Sequence, residues 1–165
     1  MIIIIAALAA NRVIGKDEGI PFYLPDDLTR FKEATMGHTV VQGPKTLNSI
    51  VKRLGKPLPG RENIVLTHHP DRIRVDGVKT IGEWWRIVEM SRYRDVFVIG
   101  GAELYKTALP DAQEMRLTRV HAEVEGDTLF PIWRKEDWML VSSESPDQGK
   151  NGFPFTWETY WRRSR

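Results

Sequence analysis

Ile2 to Ala10 is an unbroken run of nine apolar residues that opens on four isoleucines. It is too short to cross a bilayer as a helix, which takes about 20 residues, and no basic leader precedes it. β-Branched side chains in an uninterrupted run suit a strand covered on both faces, since a half-exposed strand would alternate with polar residues. Such a strand needs helices packed on its sheet. An α/β or mixed sheet is therefore the expected architecture.

The chain has 165 residues, enough for one compact domain over 1–165 that buries about 70% of its extended surface. Hydrophobic residues make up 41% and charged residues 28%, with no low-complexity stretch, which excludes a disordered or fibrous class. The net charge of +2 is small and the basic residues are scattered, which argues against a nucleic-acid partner. The one basic aromatic cluster, Tyr160 to Arg165, reads as a solvated end. With no cysteine there is no disulfide framework and no thiolate nucleophile. His38, His68, His69 and His121 show no metal-ligand spacing with the acids, so no metal is expected. A cytoplasmic chain with no membrane partner, monomeric by default, is the expectation.

After the first strand, Asn11 to Leu24 carries Gly15, Gly19 and Pro21 without a sustained period and reads as a long irregular loop. Pro25, Asp26 and Asp27 open a helix to Met36, with Gly37 as its stop. Thr39–Gln42 reads as a strand, Lys45–Arg53 as a helix, Gly55–Gly60 as turns and Asn63–Thr67 as a strand. A strand at Val75–Thr80, a helix at Glu83–Met90 and a buried strand at Asp95–Ile99 follow, and a further helix ends near Pro110. Alternation from Met115 to Val124, in Met139–Ser143 and in Phe153–Trp161 predicts later strands with antiparallel pairing.

Two places look able to hold phosphate. Gly100 and Gly101 join a strand to a helix beginning near Glu103, and missing Cβ atoms there let backbone approach a ligand. Gly43, Pro44, Lys45 and Thr46 repeat the arrangement after another apolar strand, with Lys45 supplying charge. Neither is the full three-glycine dinucleotide fingerprint, and a glycine pair at a strand end also serves purely structural turns. Asp27 shares a helix face with Phe31; it is either a cap for its helix or a carboxylate that pairs with the ring donors of a heterocycle.

These residues occur in an order that resembles the dihydrofolate reductase family over essentially the whole chain. The first block is Ile5, Ala6, Ala7, Asn11, Arg12, Val13, Ile14, Gly15, Pro21, Phe22, Leu24, Pro25, Asp27, Phe31 and Lys32. Leu58 to Arg61 and Asn63 to Leu66 form a second, Ile99, Gly100, Gly101 and Tyr105 a third, and Ala122 to Thr128 with Phe130 and Pro131 a fourth. The resemblance implies a single-domain, mainly parallel mixed sheet flanked by helices, with an antiparallel C-terminal strand. It also implies NADPH-dependent reduction of 7,8-dihydrofolate to tetrahydrofolate, with hydride delivered to C6 and a proton to N5.

Carried over residue by residue, the resemblance makes Asp27, Phe22 and Thr118 catalytic. Substrate would meet Ile5, Ala6, Asp27, Leu28, Phe31, Ile50, Leu58, Ile99, Tyr105 and Thr118, and Arg61 would hold its glutamate carboxylate. NADPH would meet Ala7, Ile14, Gly15, Ile20, Gly43, Pro44, Lys45, Thr46, Leu66, Thr67, His68, His69, Gly100, Gly101, Ala102, Glu103, Leu104 and Tyr105. Diaminopyrimidine and pteridine antifolates are implied as further ligands.

Three departures from the family pattern stand out. Pro44 lies where many relatives carry a basic residue, which loosens the expected preference for NADPH over NADH. Phe22 stands for a common tryptophan and lacks its indole donor, and Ala102 replaces a frequent third glycine. The Lys52–Lys56 segment at the rim is also longer than in short bacterial relatives. Two other readings fit the same residues: a reductase of similar fold acting on a pyrimidine or another pterin, and a nicotinamide-nucleotide binding module without turnover.

Overall fold

The computed structural model describes residues 1–146 and 152–164. An eight-stranded sheet carries the chain. Its strands are β1 (Ile2–Leu8), β3 (Thr39–Gln42), β4 (Glu62–Leu66), β5 (Val78–Ile81), β6 (Val96–Gly100), β7 (Glu114–Val120), β9 (Trp138–Glu144) and β10 (Phe155–Arg162). The order is β5-β4-β3-β6-β1-β7-β10-β9. Pairing is parallel from β5 through to β7 and antiparallel at β7–β10 and β10–β9, so β10 runs against the rest. Helices α1 (Pro25–Thr35), α2 (Pro44–Leu54), α3 (Trp84–Met90) and α4 (Ala102–Ala108) make the crossovers that parallel strands require.

The opening isoleucine run behaves as a doubly covered strand. Ile2, Ile4, Ala6 and Leu8 enter one core with Ile87 of α3 and Leu104, Tyr105 and Ala108 of α4. Ile3 and Ile5 face the other way, into a core with Phe31 and Ala34 of α1 and Ile50 of α2. β6 divides in the same manner, with Val96 and Val98 on the first face and Phe97 and Ile99 on the second. The period-two geometry of strands thus sends alternate residues of one apolar run into two cores.

The expected boundaries shift where backbone turns intervene. β1 stops at Leu8 because the Ala9 N–H turns to the Val13 carbonyl at 3.0 Å, with Arg12 in a left-handed conformation. The loop expected from Asn11 to Leu24 contains a strand, β2 (Val13–Gly15), paired antiparallel with β8 (Thr128–Leu129). A turn at Asp76–Gly77 delays β5 to Val78. β7 ends at Val120; the Ala122 and Val124 carbonyls instead accept the Ala10 N–H and the Asn11 side-chain amide.

The C-terminal cluster is built in part into the sheet, although Trp161 is 53% exposed and Arg163 and Ser164 are exposed. Tyr160 to Arg162 lie within β10, and Arg162 donates to the carbonyls of Ala112 and Leu109 and covers the Trp138 ring. Arg165 lies outside the described residues. Among the described residues no helix is long and apolar enough to cross a membrane.

Candidate active site

The parallel strands end along one edge, where ligands of open α/β sheets bind. Three neighbouring ends matter most. β6 ends at Ile99 and Gly100, β1 passes Ile5 to Ala7 beside it, and Ala7 pairs with Thr118 of β7. Thr118 is in turn paired with Trp157 of β10, so these directly opposite residues share a sheet face.

Asp27 meets that face from α1. Its helix begins after Leu24 with no side-chain cap, and Pro25 occupies the first helical position, where its missing N–H costs nothing. Asp27 therefore does not cap α1. Its Oδ1 accepts the Thr118 hydroxyl at 2.5 Å and the Trp157 indole N–H at 2.9 Å. Burial raises its carboxyl above the ordinary value of 3.8, opposed by those two bonds and by the charge of Arg30. The result is a half-buried acid more basic than a free carboxylate.

An apolar wall stands beside it. Leu58 is 5% exposed and packs in one cluster with Phe31 and Ile50, which the resemblance places on the substrate, and with Ile5 and Ile99. Ile50 comes from the helix ending at Leu54, and Gly55 in the left-handed region closes that helix at the rim, with its N–H on the Val51 carbonyl. Leu28 is partly buried on α1, and Ala6 is buried on β1 with its side chain toward the opposite core. Phe22, 7% exposed, packs with Leu24, Val13, Val120 and Phe155.

Arg61 follows Leu58 on the loop into β4. Buried Asn63 holds that loop: its amide donates to the Leu58 and Arg61 carbonyls at 2.9 and 3.0 Å and accepts the Leu58 N–H at 3.2 Å. Arg61 Nη1 donates to Thr35 Oγ1 at 3.2 Å, whereas its buried Nε has no partner among the described residues. A buried donor left open on a rigid fork suits an incoming carboxylate.

The two glycine segments come together. The Gly43 N–H donates to the Gly100 carbonyl at 2.8 Å, and Gly43 and Gly101 are the residues before α2 and α4, neither of which has a side-chain cap. Gly100 has φ +130°, and a Cβ there would lie 3.3 Å from Thr46 Oγ1 and 3.4 Å from the Tyr105 hydroxyl. This is a cradle that a side chain would fill. Tyr105 is buried, donates to the Ile5 carbonyl at 2.9 Å, and has its proton affinity pushed up by burial. The residues present fit a pyrophosphate lying across two helix starts.

Other residues carried over for the cofactor occupy varied settings. Ile14 and Leu66 are partly buried against the first core, and Leu104 is within it. Lys45, His68, His69 and Glu103 are exposed, Ile20 is 56% exposed, and Ala102 is partly buried at the start of α4. The Thr67 hydroxyl accepts the His69 N–H at 3.0 Å. Pro44 takes the first position of α2, where a helix would leave an N–H unpaired in any case. Trp157 was not among the residues carried over. Its partnership with Asp27 spans 130 positions and follows from the β7–β10 register alone.

A family model described as dihydrofolate reductase matches residues 1–162. The chain is 40% identical over 166 residues to the dihydrofolate reductase of Bacillus subtilis (strain 168), covering 99% of this chain and 96% of that protein. It is 38% identical to dihydrofolate reductase type 3 of Salmonella typhimurium, covering 99% of each. Among solved structures it is similar to the Enterococcus faecalis dihydrofolate reductase complexed with NADP(H) and RAB-propyl. That match has a TM-score of 0.91 at 32% identity, over 99% of this chain and 97% of the other.

Proposed function

The chain belongs to the dihydrofolate reductase family, and from that membership and the cleft we propose how its residues reduce dihydrofolate. The enzyme is an NADP-dependent oxidoreductase that converts 7,8-dihydrofolate to 5,6,7,8-tetrahydrofolate. The observation that carries the assignment of roles is the Asp27 carboxylate, held by Thr118 and Trp157 beside the apolar wall of Phe31, Ile50, Leu58, Ile5 and Ile99.

In this reading Asp27 pairs with the ring donors of the pterin, a charge-assisted contact that fixes ring orientation and raises proton affinity at N5. Its two donors occupy Oδ1, and no hydrogen bond from the described residues reaches Oδ2, so Oδ2 is the edge presented to substrate. The proton reaching N5 comes from solvent, and Asp27 acts through its field and its hydrogen bonds. Leu28, Phe31, Ile50 and Leu58 exclude water around the ring and the aminobenzoyl group. Ile5 and Ile99 offer backbone carbonyls, and Arg61 binds the glutamate tail through its open Nε and the rest of its fork.

NADPH, when bound, supplies the hydride from C4 of its nicotinamide. Ala7, Ile14, Gly15 and Tyr105 would flank the nicotinamide, Gly43, Thr46 and Gly100 to Ala102 the phosphates, and Thr67, His68 and His69 the adenosine phosphate, with Lys45 adding charge. The Asn11–Leu24 segment closes over the nicotinamide as a lid, with Gly15 and Gly19 allowing the backbone changes. The chain acts as a single-domain monomer in this account, and diaminopyrimidine antifolates compete by pairing a protonated ring with Asp27.

Mixing enzyme, NADPH and dihydrofolate tests the reading. Rapid loss of reduced-cofactor absorbance is expected; NADPH binding without consumption would instead mark a binding module. Faster turnover of a tailless pterin than of dihydrofolate would favour a different pterin reductase. The ratio of kcat/KM with NADPH to that with NADH is expected to exceed about tenfold, a difference of about 1.4 kcal/mol in transition-state binding; equal values would sink the cofactor preference.

A further inference from the structure

Phe22 packs in the same cluster that Trp157 joins from its edge, and it carries no polar atom with which to reach Asp27. Trp157 does reach it. We propose that Trp157 is a positioning residue for the reduction: its indole N–H and the Thr118 hydroxyl together pin Oδ1 of Asp27 and turn Oδ2 toward the pterin. The inference rests on Asp27 being the pterin-binding carboxylate and adds the group that sets its orientation and basicity.

Three independent contacts hold the indole in this pose. The backbone of Trp157 is locked by its pairing with Thr118 on one side and Glu144 on the other. Phe155 packs edge-on against its ring at 5.4 Å between centroids. The Arg30 guanidinium lies 4.4 Å from the ring centroid, one turn along α1 from Asp27, and is itself 3.8 Å from Glu144 of β9. A cation over the face of an indole whose N–H points at a carboxylate links α1 to β10 by two contacts of opposite polarity.

The charges around Asp27 leave the indole bond its main adjustable partner beside Thr118. Among the described residues the charge that acts on Asp27 is that of Arg30, which is shared with Glu144. On the strands that carry the donors, Glu114 and Arg116, on the Thr118 face of β7, pair with each other at 2.6 Å, and Arg119 and Glu158, on the opposite face, lie 4.0 Å from each other. On α1, Asp26, Lys32 and Glu33 are exposed, and β1 contributes only uncharged residues. A hydrogen bond to the ionised form favours that form, so removing the indole donor makes the carboxylate more basic.

Trp157→Phe keeps an aromatic ring and removes the N–H. In single-turnover reactions the pH midpoint of hydride transfer is expected to move up by about half to one unit, a midpoint that belongs to the carboxylate and N5 together. In the ligand-free protein, ¹³C NMR of the aspartate carboxyls is expected to show the Asp27 midpoint displaced in the same direction. In the unsubstituted protein, the Trp157 indole ¹⁵N–H resonance, assigned through its proximity to Thr118, is expected to titrate with Asp27. That last measurement needs no variant and decides the matter if Trp157→Phe does not fold. An indole resonance indifferent to pH, or a folded Trp157→Phe whose two midpoints match the parent, would overturn the proposal. Asp27→Asn separates the two claims: if it leaves hydride transfer intact the reading of Asp27 fails, whereas an impaired Asp27→Asn beside an unmoved Trp157→Phe defeats only the positioning role.

Discussion

The Thr118 hydroxyl donates to Oδ1 of Asp27 at 2.5 Å, joining the middle of the sheet to the first turn of α1. Thr118 is 6% exposed, so the bond operates largely out of water, where donors to an ionised acceptor count most. Thr118→Val keeps the shape and removes the donor. Hydride transfer at neutral pH should fall about tenfold, in line with roughly 1.5 kcal/mol for a bond to a charged group. Single-turnover stopped-flow fluorescence measures it, and an unchanged rate would show that Trp157 suffices alone.

Arg61 offers a buried Nε with no partner among the described residues, while Nη1 is held by Thr35. Arg61→Ala should raise the dissociation constant for dihydrofolate about a hundredfold, near 3 kcal/mol, and leave a tailless pterin unaffected. Calorimetric titration of both ligands separates the tail from the ring. Equal losses for the two would place Arg61 outside tail recognition.

Asp127 ties the residues 13–19 to the segment before β8. Its N–H donates to the Gly15 carbonyl at 3.0 Å, and its carboxylate accepts the Asp17 N–H at 2.9 Å and the Thr128 hydroxyl at 2.8 Å. The Asp17 bond, then the Thr128 bond, holds this carboxyl below its ordinary value of 3.8. For an acid depressed in the folded state the stabilisation is present above the unfolded value and disappears as pH falls through the folded one. Asp127→Ala should loosen the lid and raise the NADPH dissociation constant about tenfold, with little change in thermal stability. Fluorescence titration with NADPH checks this, and unaltered affinity would argue against a lid.

How much could be read beforehand depended on how local each signal was. The isoleucine run and the apolar strand before Gly100 announce themselves by composition, and α1 by Pro25 with two acids in its first turn. Phe31 and Leu58 were legible through ordered blocks and Ile50 only through the residues carried over with them, and the structure gathers the three in one cluster. Trp157 was not legible, because nothing near it in the chain differs from an ordinary strand residue; only the pairing of β10 with β7 sets it opposite Thr118. The β2–β8 pair was missed for the same reason, since three residues and two residues separated by more than a hundred positions carry no period of their own. Of the two readings of Asp27, the cap falls because the helix begins at Leu24 without a side-chain cap.

Asp27 should also leave a signature in stability. Its carboxyl is raised above 3.8 chiefly by burial, so the folded protein binds its proton more tightly than the unfolded chain does. Stability from this group is then full below the unfolded value and declines as pH rises through the raised folded value, remaining lower beyond it. Asp27→Asn removes that cost while keeping an oxygen for Thr118 and Trp157. Thermal melts should show the variant a few degrees more stable at neutral pH, with the gap closing below about pH 4. A variant less stable at neutral pH would contradict the sign of the shift.

The most direct test is the rate of hydride transfer from NADPH to dihydrofolate in a single turnover, followed by cofactor fluorescence across pH 5 to 9 for the parent and Asp27→Asn. The variant is expected to be slower by about a hundredfold or more at pH 7, with the difference shrinking toward acid as N5 is protonated from solvent without help. Equal rates for the two proteins across neutral pH would contradict the role assigned to this carboxylate and, with it, the mechanism built on the cleft.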